Sequence, residues 1–314
     1  MSDPNIIVAH EPSGGPPLGL SAYSTMRWAV KNPPADPIVS FKGKTVLVTG
    51  ANTGLGFEAA VKYSALGADK LILAVRTAEK GEATKKRILE HTSRRSDTIE
   101  IVLIDLTTYD SVRSCIAALE KNSPHLDVAL LNAGLGNPKF ETAPSGREMA
   151  LQVNVLSTAL MAILLLPLLR RGAEATGKRS HLTFVNSNGH TMAKKEWFDK
   201  TGSMVEAASD RKTWDANKSY STVKLIGVAV ARAIARATAA RGNPAPEVIV
   251  NVACPGLCKT DLGRNFGLAS QIFMVPFQAI FARTAEQGSR TLVSATALGP
   301  ESHGRFWTHD ILHP

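Results

Sequence analysis

The chain is poor in several features that would each point to a class of protein. Only three of its 314 residues are cysteine (Cys115, Cys254 and Cys258), too few and too scattered for a disulfide framework. Cys254 and Cys258 stand four apart, but no histidine or further cysteine lies near them at zinc-ligand spacing, so no metal site is expected. Buried free thiols are the reading that remains, which suits a reducing compartment and a cytoplasmic location. Aromatic residues make up 6% of the chain. The 36 Lys and Arg exceed the 27 Asp and Glu to give a net charge of +9. The basic residues nevertheless come as short pairs such as Lys85-Lys86, Arg94-Arg95, Arg170-Arg171 and Lys194-Lys195. Without a focused basic run interleaved with aromatics, nucleic acid is not an expected partner, and solvated helix faces account for most of the charge. The N-terminal stretch is polar and rich in Pro and Gly, unlike the apolar centre of a signal peptide. The longest apolar run, Ala159 to Leu169, has 11 residues and contains Pro167, whereas a bilayer takes about 20. No transmembrane segment is expected.

What is present is an ordinary globular composition, 44% apolar and 20% charged, with a particular order. Short β-rich apolar runs alternate with stretches of helical periodicity. The runs are Val46–Val48, Leu71–Val75, Ile99–Ile104, Val128–Leu131, Leu182–Val185 and Val248–Val252. An amphipathic segment with Phe57, Ala60 and Val61, ending at Gly67, is typical of what lies between them. Strands with little polar alternation are buried on both faces, as in a parallel sheet covered by helices. The expected fold is therefore α/β: a doubly wound parallel sheet flanked by helices, forming a single domain over residues 43–314. Residues 1–42 are an extension, irregular around Pro33-Pro34 and Pro37, with a short helix around Ser21 to Val30. Residues 189–213 are a polar insertion after the fifth strand, carrying Trp197 and Phe198. It is either a ligand-side loop or a plain surface loop.

The first strand runs into Thr49-Gly50-Ala51-Asn52-Thr53-Gly54-Leu55-Gly56, and a helix follows. Glycines at 50, 54 and 56 allow a tight turn and close approach of backbone to ligand. The new helix then points free N–H groups and its positive end at a pyrophosphate. Between a strand and a helix near the start of an α/β domain, this string predicts dinucleotide binding, with Asn52, Thr53 and Leu55 in the same turn. The second strand ends at Arg76, where an acidic residue would bind the ribose hydroxyls of NAD. A guanidinium there suits a 2′-phosphate, so NADP(H) is the preferred cofactor; a surface arginine is the plain alternative.

Tyr220 and Lys224 open a long helical stretch, four residues apart on one face. A free phenol has a pKa near ~10, and a neighbouring ammonium is expected to lower it toward working pH. Tyr220 then becomes a candidate acid or base toward a carbonyl or an alcohol. The fifth strand ends Phe184-Val185-Asn186-Ser187, which places the Ser187 hydroxyl at the carboxyl edge of the sheet, positioned to polarise a carbonyl. His190, close by, reads as a loop residue. The fourth strand runs into Asn132-Ala133-Gly134, a turn able to line a cofactor, and Asn154 is a polar residue in an apolar helical stretch. For Asn154 a satisfied core amide is the alternative.

Together these motifs resemble the short-chain dehydrogenase/reductase family from about Lys44 to Leu298. The resemblance implies a Rossmann-type fold and a tetrad of Asn154, Ser187, Tyr220 and Lys224. By that likeness Tyr220 is the general acid/base and Ser187 orients the carbonyl. Lys224 binds the nicotinamide ribose and depresses the Tyr220 pKa, and Asn154 holds a water in a proton relay. Asp105-Leu106 match the family's adenine-side pair, Pro255-Gly256 its turn after the sixth strand, and Thr260 its contact to the nicotinamide carboxamide. Within the family, residues 74–81 are similar to an NADP-preferring branch containing retinol dehydrogenases, WW-domain oxidoreductase and many fungal enzymes. The ending Ser302 to Trp307 is similar to fungal members, ketoreductases of secondary metabolism among them. Three departures stand out: Asn186 where a serine is common, Val223 in place of a frequent serine, and a Ser187-to-Tyr220 gap of 33 residues. Residues 268–282, with Ile272, Phe273, Met274, Val275, Phe277, Ile280 and Phe281 around Pro276, correspond to the family's substrate lid. An apolar lid implies a hydrophobic small-molecule partner such as a polyketide, terpenoid or retinoid; packed core, dimer surface and shallow membrane contact are the other readings. The expected activity is an NADPH-dependent ketoreductase or alcohol dehydrogenase. A membrane-associated retinoid or steroid dehydrogenase and a non-catalytic NADP-binding interaction protein are the alternatives. A homodimer or homotetramer is the family's usual assembly. Thr284-Ala285-Glu286-Gln287 predicts a capping box at the start of a last helix.

Overall fold

The computed structural model describes residues 15–17, 20–198, 203–239, 246–260 and 276–314. One sheet of eight strands organises them. In chain order these are β1 (Thr45–Thr49), β2 (Lys70–Val75), β3 (Ile99–Leu103), β4 (Val128–Leu131), β5 (Ser180–Val185), β6 (Val248–Cys254), β7 (Phe306–Thr308) and β8 (Ile311–His313). They lie in the order β3-β2-β1-β4-β5-β6-β7-β8. Strands β1 to β7 pair in parallel, in registers such as Val46 opposite both Leu71 and Val128. The doubly wound parallel sheet expected from the six apolar runs is thus present, with an addition. At its end β8 is added antiparallel to β7. These two strands have three residues each, too short to show a periodicity in sequence.

Eight helices among the described residues position the strands: α1 (Ala22–Lys31), α2 (Gly54–Ala65), α3 (Ala78–Thr92), α4 (Tyr109–Asn122), α5 (Met149–Thr176, with a π-turn at Gln152–Ser157), α6 (Met204–Ser209), α7 (Ala216–Thr238) and α9 (Ala285–Ala295). A further short helix, α8, covers residues 276–281. Helices α2, α3 and α9 cover one face of the sheet, and α4, α5 and α7 the other. The two faces form separate cores, one with Val46, Val48, Phe57, Tyr63 and Leu73, the other with Leu47, Ile72, Leu130's neighbour Leu131, Leu165 and Val250. Adjacent residues of β1 therefore serve opposite layers, which is why the strand reads as an unbroken apolar run. Each such aliphatic side chain removed from water contributes roughly 1.5–3 kcal/mol. The one polar interruption of β6, Asn251, is fully buried and satisfied. It accepts from Thr183 Oγ1 at 2.7 Å and donates to the Ala295 carbonyl at 2.8 Å.

Helix α5 is long and apolar enough to cross a membrane by length and composition. Met161, Ala162, Leu165, Leu168 and Leu169 are nevertheless at most 1% exposed, packed against the sheet as a core helix. All three cysteines are buried free thiols. Thr284 and Gln287 form the predicted capping box of α9, and α1 begins after Ser21, whose side chain caps Ser24 N.

Candidate functional site

The sheet order reverses direction between β1 and β4, and in open α/β sheets the crevice at that point, beyond the strand carboxyl ends, takes the ligand. Here the two strand ends are locked to each other. Thr49 Oγ1 accepts from Asn132 N at 3.0 Å and Ala133 N at 2.9 Å. The Asn132 amide donates back to the carbonyls of Thr49 (3.0 Å) and Gly50 (3.3 Å). Gly50 takes the left-handed φ of +65° and Gly54 one of +56°. At Gly56 the demand is for space: a Cβ there would sit 2.3 Å from the Gly50 carbonyl and 2.4 Å from Asn132 Nδ2. Thr53 is the N-cap of α2 but makes no side-chain capping bond, whereas α1, α3 and α4 are each capped by a side chain. The first N–H groups of α2 are thus left to a ligand. Asn52 and Leu55 lie in the same turn, and Thr260, beyond the Pro255-Gly256 turn, stands opposite it: its Cβ is 3.7 Å from where a Cβ on Gly54 would be. Gly256 has φ +77°.

Arg76 is exposed at the carboxyl end of β2, immediately before Thr77 caps α3. Asp105 and the buried Leu106 follow β3, with Asp105 Oδ1 accepting from Thr107 N at 2.9 Å. From β2 to β5, three strand spacings, is about 14 Å. Arg76 and Asp105 therefore do not join the cluster around Tyr220; they stand at the other end of an elongated cleft edge.

That cluster forms where β5, β6 and α7 meet. The Ser187 hydroxyl accepts from Gly189 N at 3.0 Å and lies beside the Tyr220 side chain: a Cβ on Gly189 would be 3.3 Å from Ser187 Oγ and 2.9 Å from the Tyr220 ring. Lys224 Nζ lies 5.8 Å from the centre of the Tyr220 ring. Tyr220 is 39% exposed as a residue, while the protein packed around the phenol removes part of its water. That burial raises the phenol above its ordinary 10, against the opposing pull of the Ser187 hydroxyl. Burial also pushes Lys224 down, from 10.5 to about 8. The expected acidification of Tyr220 by Lys224 is therefore not what this geometry gives. The ammonium approaches the ring, and its own charged form is disfavoured by the same desolvation.

Asn154 lies within the π-turn of α5, a helical irregularity frequent at functional positions. Both ends of its amide are engaged with Leu135: Oδ1 accepts from Leu135 N at 2.9 Å and Nδ2 donates to the Leu135 carbonyl at 2.8 Å. Its side chain clamps the chain that leaves β4. Gly134 makes room for this clamp, since a Cβ there would be 3.0 Å from Asn154 Oδ1. The π-turn packs against α7, which carries Tyr220 and Lys224.

Four residues at the site escaped the sequence reading. Asn186, noted only as a departure, accepts from Ser187 N at 2.7 Å and donates to the Lys224 carbonyl at 3.1 Å. It ties the end of β5 to α7, and Gly227 leaves it space. Gly189 lies under Tyr220; a Cβ there would be 2.9 Å from the ring. Cys254 Sγ accepts from Asn188 N (3.3 Å) and Gly256 N (3.4 Å), joining the ends of β5 and β6. His190 Nδ1 donates to the Ser187 carbonyl at 2.9 Å, and its ring lies 4.9 Å from that of Phe306. Only Asn186, as a polar residue closing an apolar strand, carried a signal.

The insertion at 189–213 is described except for 199–202. Its α6 packs Met204, Val205 and Ala208 against α5 and α7. Just beyond it Arg211 lies over Phe140, and Trp214 makes an edge contact with the same ring at 5.7 Å. It is a docked element on the chain that follows β4. Of the expected lid at 268–282, residues 268–275 lie outside the described residues. In the described part Ile280 is 57% exposed and Phe281 contacts Phe277 and Tyr23.

Known proteins are similar to this chain in sequence and in fold. A family model described as short chain dehydrogenase matches residues 44–198. The chain is 44% identical over 290 residues to the short-chain dehydrogenase/reductase ffsI of Aspergillus flavipes, covering 92% of this chain and 84% of that protein. It is 42% identical over 292 residues to phmF of Phaeosphaeria nodorum, covering 93% and 85%. The chain belongs to the short-chain dehydrogenase/reductase family. Among solved structures, this family member has the fold of RhlG of Pseudomonas aeruginosa in an NADP active-site complex, with a TM-score of 0.64 and 23% identity over 87% of this chain and 96% of that one. It also has the fold of L-sorbose reductase of Gluconobacter frateurii complexed with NADPH and L-sorbose, with a TM-score of 0.63 and 16% identity over 86% and 96%.

Proposed function

We propose that this short-chain dehydrogenase/reductase binds NADP(H) and reduces a ketone, or oxidises the matching alcohol, on a lipophilic small molecule. The observation that carries the reading is the meeting of Ser187, Tyr220 and Lys224 at the sheet edge beside an uncapped glycine turn. The residues fit the cofactor. The cradle requires glycine through the positive φ of Gly50 and Gly54 and the lack of space at Gly56, and the free N–H groups of α2 suit the pyrophosphate. Arg76 stands at the β2 edge for a 2′-phosphate, with Asp105 and Leu106 on the adenine side. Asn132, Ala133, Gly134, Pro255, Gly256 and Thr260 line the remainder. When bound, NADPH supplies the hydride. Tyr220 donates a proton to the carbonyl oxygen, Ser187 holds that oxygen by a hydrogen bond, and Lys224 serves the ribose side. Asn154 keeps the 134–135 backbone in place beside them.

The apolar composition of residues 272–281 and the fungal relatives support a hydrophobic substrate, of which a polyketide or terpenoid ketone of secondary metabolism is the class we favour. The test follows NADPH and NADH consumption over a panel of such ketones, for the wild type and Tyr220→Phe. NADPH should be consumed in preference to NADH, and Tyr220→Phe should abolish turnover while leaving NADPH binding intact. Turnover surviving in Tyr220→Phe refutes the assignment.

A further inference from the structure

Arg283, between α8 and α9, is 1% exposed, the largest fully buried side chain among the described residues. Its guanidinium joins three separate parts of the chain. Nε donates to the Ala29 carbonyl at 2.8 Å and Nη2 to the Asn32 carbonyl at 3.0 Å, both at the C-terminal end of α1. Nη1 reaches the Pro255 carbonyl at 3.5 Å. Nη2 also meets His309 Nδ1 at 3.2 Å. Arginine only donates, so that nitrogen of His309 is the acceptor and the ring is neutral. A cation on the last carbonyls of a helix is favoured by the helix dipole.

The backbone of Arg283 holds the same region a second time. Arg283 N donates to the Leu257 carbonyl at 2.9 Å, and Lys259 N donates to the Arg283 carbonyl at 2.9 Å, forming a bridge beside Cys258. Arg283 thus grips the chain from Pro255 to Lys259 by side chain and main chain, and the next residue is Thr260, opposite Gly54. An independent sign of constraint lies at His309 and Asp310, the two-residue turn between β7 and β8. Their φ angles are +51° and +56°. Mirror-image turns of this kind ordinarily use Asn-Gly, and non-glycine residues hold such angles only where their surroundings fix them. His309 is fixed by Arg283 on one side and by Trp28 of α1, ring centres 5.9 Å apart, on the other.

We propose that Arg283 is a positioning residue for the cofactor, and that α1, through Arg283 and Trp28, works as a brace for the cofactor-side chain at 255–260. The inference rests on the cofactor reading above. Its test uses full-length Arg283→Gln, Arg283→Lys, Trp28→Ala and the Arg283→Gln/Trp28→Ala double variant, with NADPH affinity followed by its fluorescence and Tm measured alongside. The control is Arg290→Gln, which also loses a bond to the N-terminal segment, to the Pro34 carbonyl at 3.1 Å, but does not touch 255–260.

Displacement of a ligand-contacting chain by a fraction of an ångström predicts a loss in NADPH affinity of about tenfold in Arg283→Gln. Arg283→Lys should recover part of that loss, because an ammonium can serve some of the same carbonyls. Trp28→Ala should weaken binding in the same direction, and the double variant should bind no worse than Arg283→Gln. Arg290→Gln should lower Tm and leave affinity unchanged. If Arg283→Gln lowers Tm but binds NADPH like the wild type, the inference is wrong. If Arg283→Gln does not fold, unchanged affinity in Trp28→Ala overturns it equally. Wild type that binds no NADPH is a separate failure, of the cofactor reading, seen before any variant is made, and the inference falls with it.

Discussion

Lys224 sits in a place that is unfavourable for the charge it carries, and replacing it by methionine should make the free protein more stable. Burial lowers its pKa from 10.5 to about 8, which means that the ammonium is disfavoured in the folded chain by about 3 kcal/mol. Methionine keeps the unbranched stem that packs along α7 and leaves no polar atom behind. In Lys224→Met the stabilisation expected at pH 7 is accordingly about 2–3 kcal/mol. Its pH dependence distinguishes this cause from simple repacking. Below pH 8 the lysine is charged in both the folded and unfolded chain, so the whole penalty applies and the advantage of methionine is constant. Between 8 and 10.5 the unfolded chain still binds the proton while the folded chain has released it. The wild type then gains stability as pH rises, and the gap to Lys224→Met closes.

Urea unfolding of both proteins at pH 7 and at pH 9.5, without cofactor, measures this gap. Adding NADPH at a hundred times its Kd should stabilise the wild type by about 2.7 kcal/mol. If Lys224 serves the ribose, the variant gains less, and the order of stabilities narrows or reverses. A variant no more stable than wild type at pH 7, or an advantage that does not change between pH 7 and pH 9.5, refutes the argument. The pair of results would show a site held ready for its ligand at the expense of the fold.

Three further outcomes follow from the same geometry. In Gly56→Ala the added methyl meets the Gly50 carbonyl at 2.3 Å and Asn132 Nδ2 at 2.4 Å; relief requires backbone movement of the turn, so urea unfolding should show a loss of about 1–3 kcal/mol, with NADPH titration showing weakened binding. His181 is buried, bonded through Nε2 to the Leu298 carbonyl at 2.8 Å, with Nδ1 buried and without a partner. Its pKa falls from 6.5 to about 4, so it contributes a stability loss of roughly 3 kcal/mol as pH drops through that window; His181→Gln should flatten the acid limb of the stability curve, and an unchanged limb contradicts the assignment. Tyr220 is held above its ordinary pKa by burial, so the pH–rate profile for reduction should stay level through neutral pH and fall only on the alkaline side; a fall beginning near pH 7 contradicts it.

Most of the scaffold was legible because its determinants are local. A strand buried on both faces must be apolar at every position, so β1, β2, β4 and β6 announce themselves as short runs between glycine-rich and polar stretches. The capping box at Thr284 and the helix after Ser21 are likewise set within four residues. The glycine turn was legible for a steric reason, confirmed by the positive φ angles at Gly50 and Gly54 and the lack of space at Gly56. What stayed hidden depends on contacts distant in sequence. Arg283 meets Ala29 across 254 positions, and nothing near either residue marks the pair. Strands β7 and β8 exist because β6 offers an edge and His309-Asp310 are held in a mirror-image turn. The clamp by Asn154 on Leu135 needs the π-turn, which no periodicity of the surrounding apolar residues specifies.

The ionisation of Tyr220 shows where reasoning from spacing alone stops. A separation of four residues in a helix places Lys224 near Tyr220 but leaves open how wet either group is, and wetness decides the sign. In water the ammonium would favour the phenolate. At the carboxyl ends of β5 and β6, where Asn186, Cys254 and the 187–189 turn lie beside the pair, both charged forms are disfavoured at once. A phenol so held keeps its proton at neutral pH and can donate it, with the Ser187 hydroxyl close beside it. That is the state required to protonate a carbonyl oxygen, while abstraction of a proton from an alcohol requires the phenolate. Any lowering of the Tyr220 pKa must come from something that alters the charge or polarity of this enclosure, and Lys224, near 8, is poised to change its own charge in response.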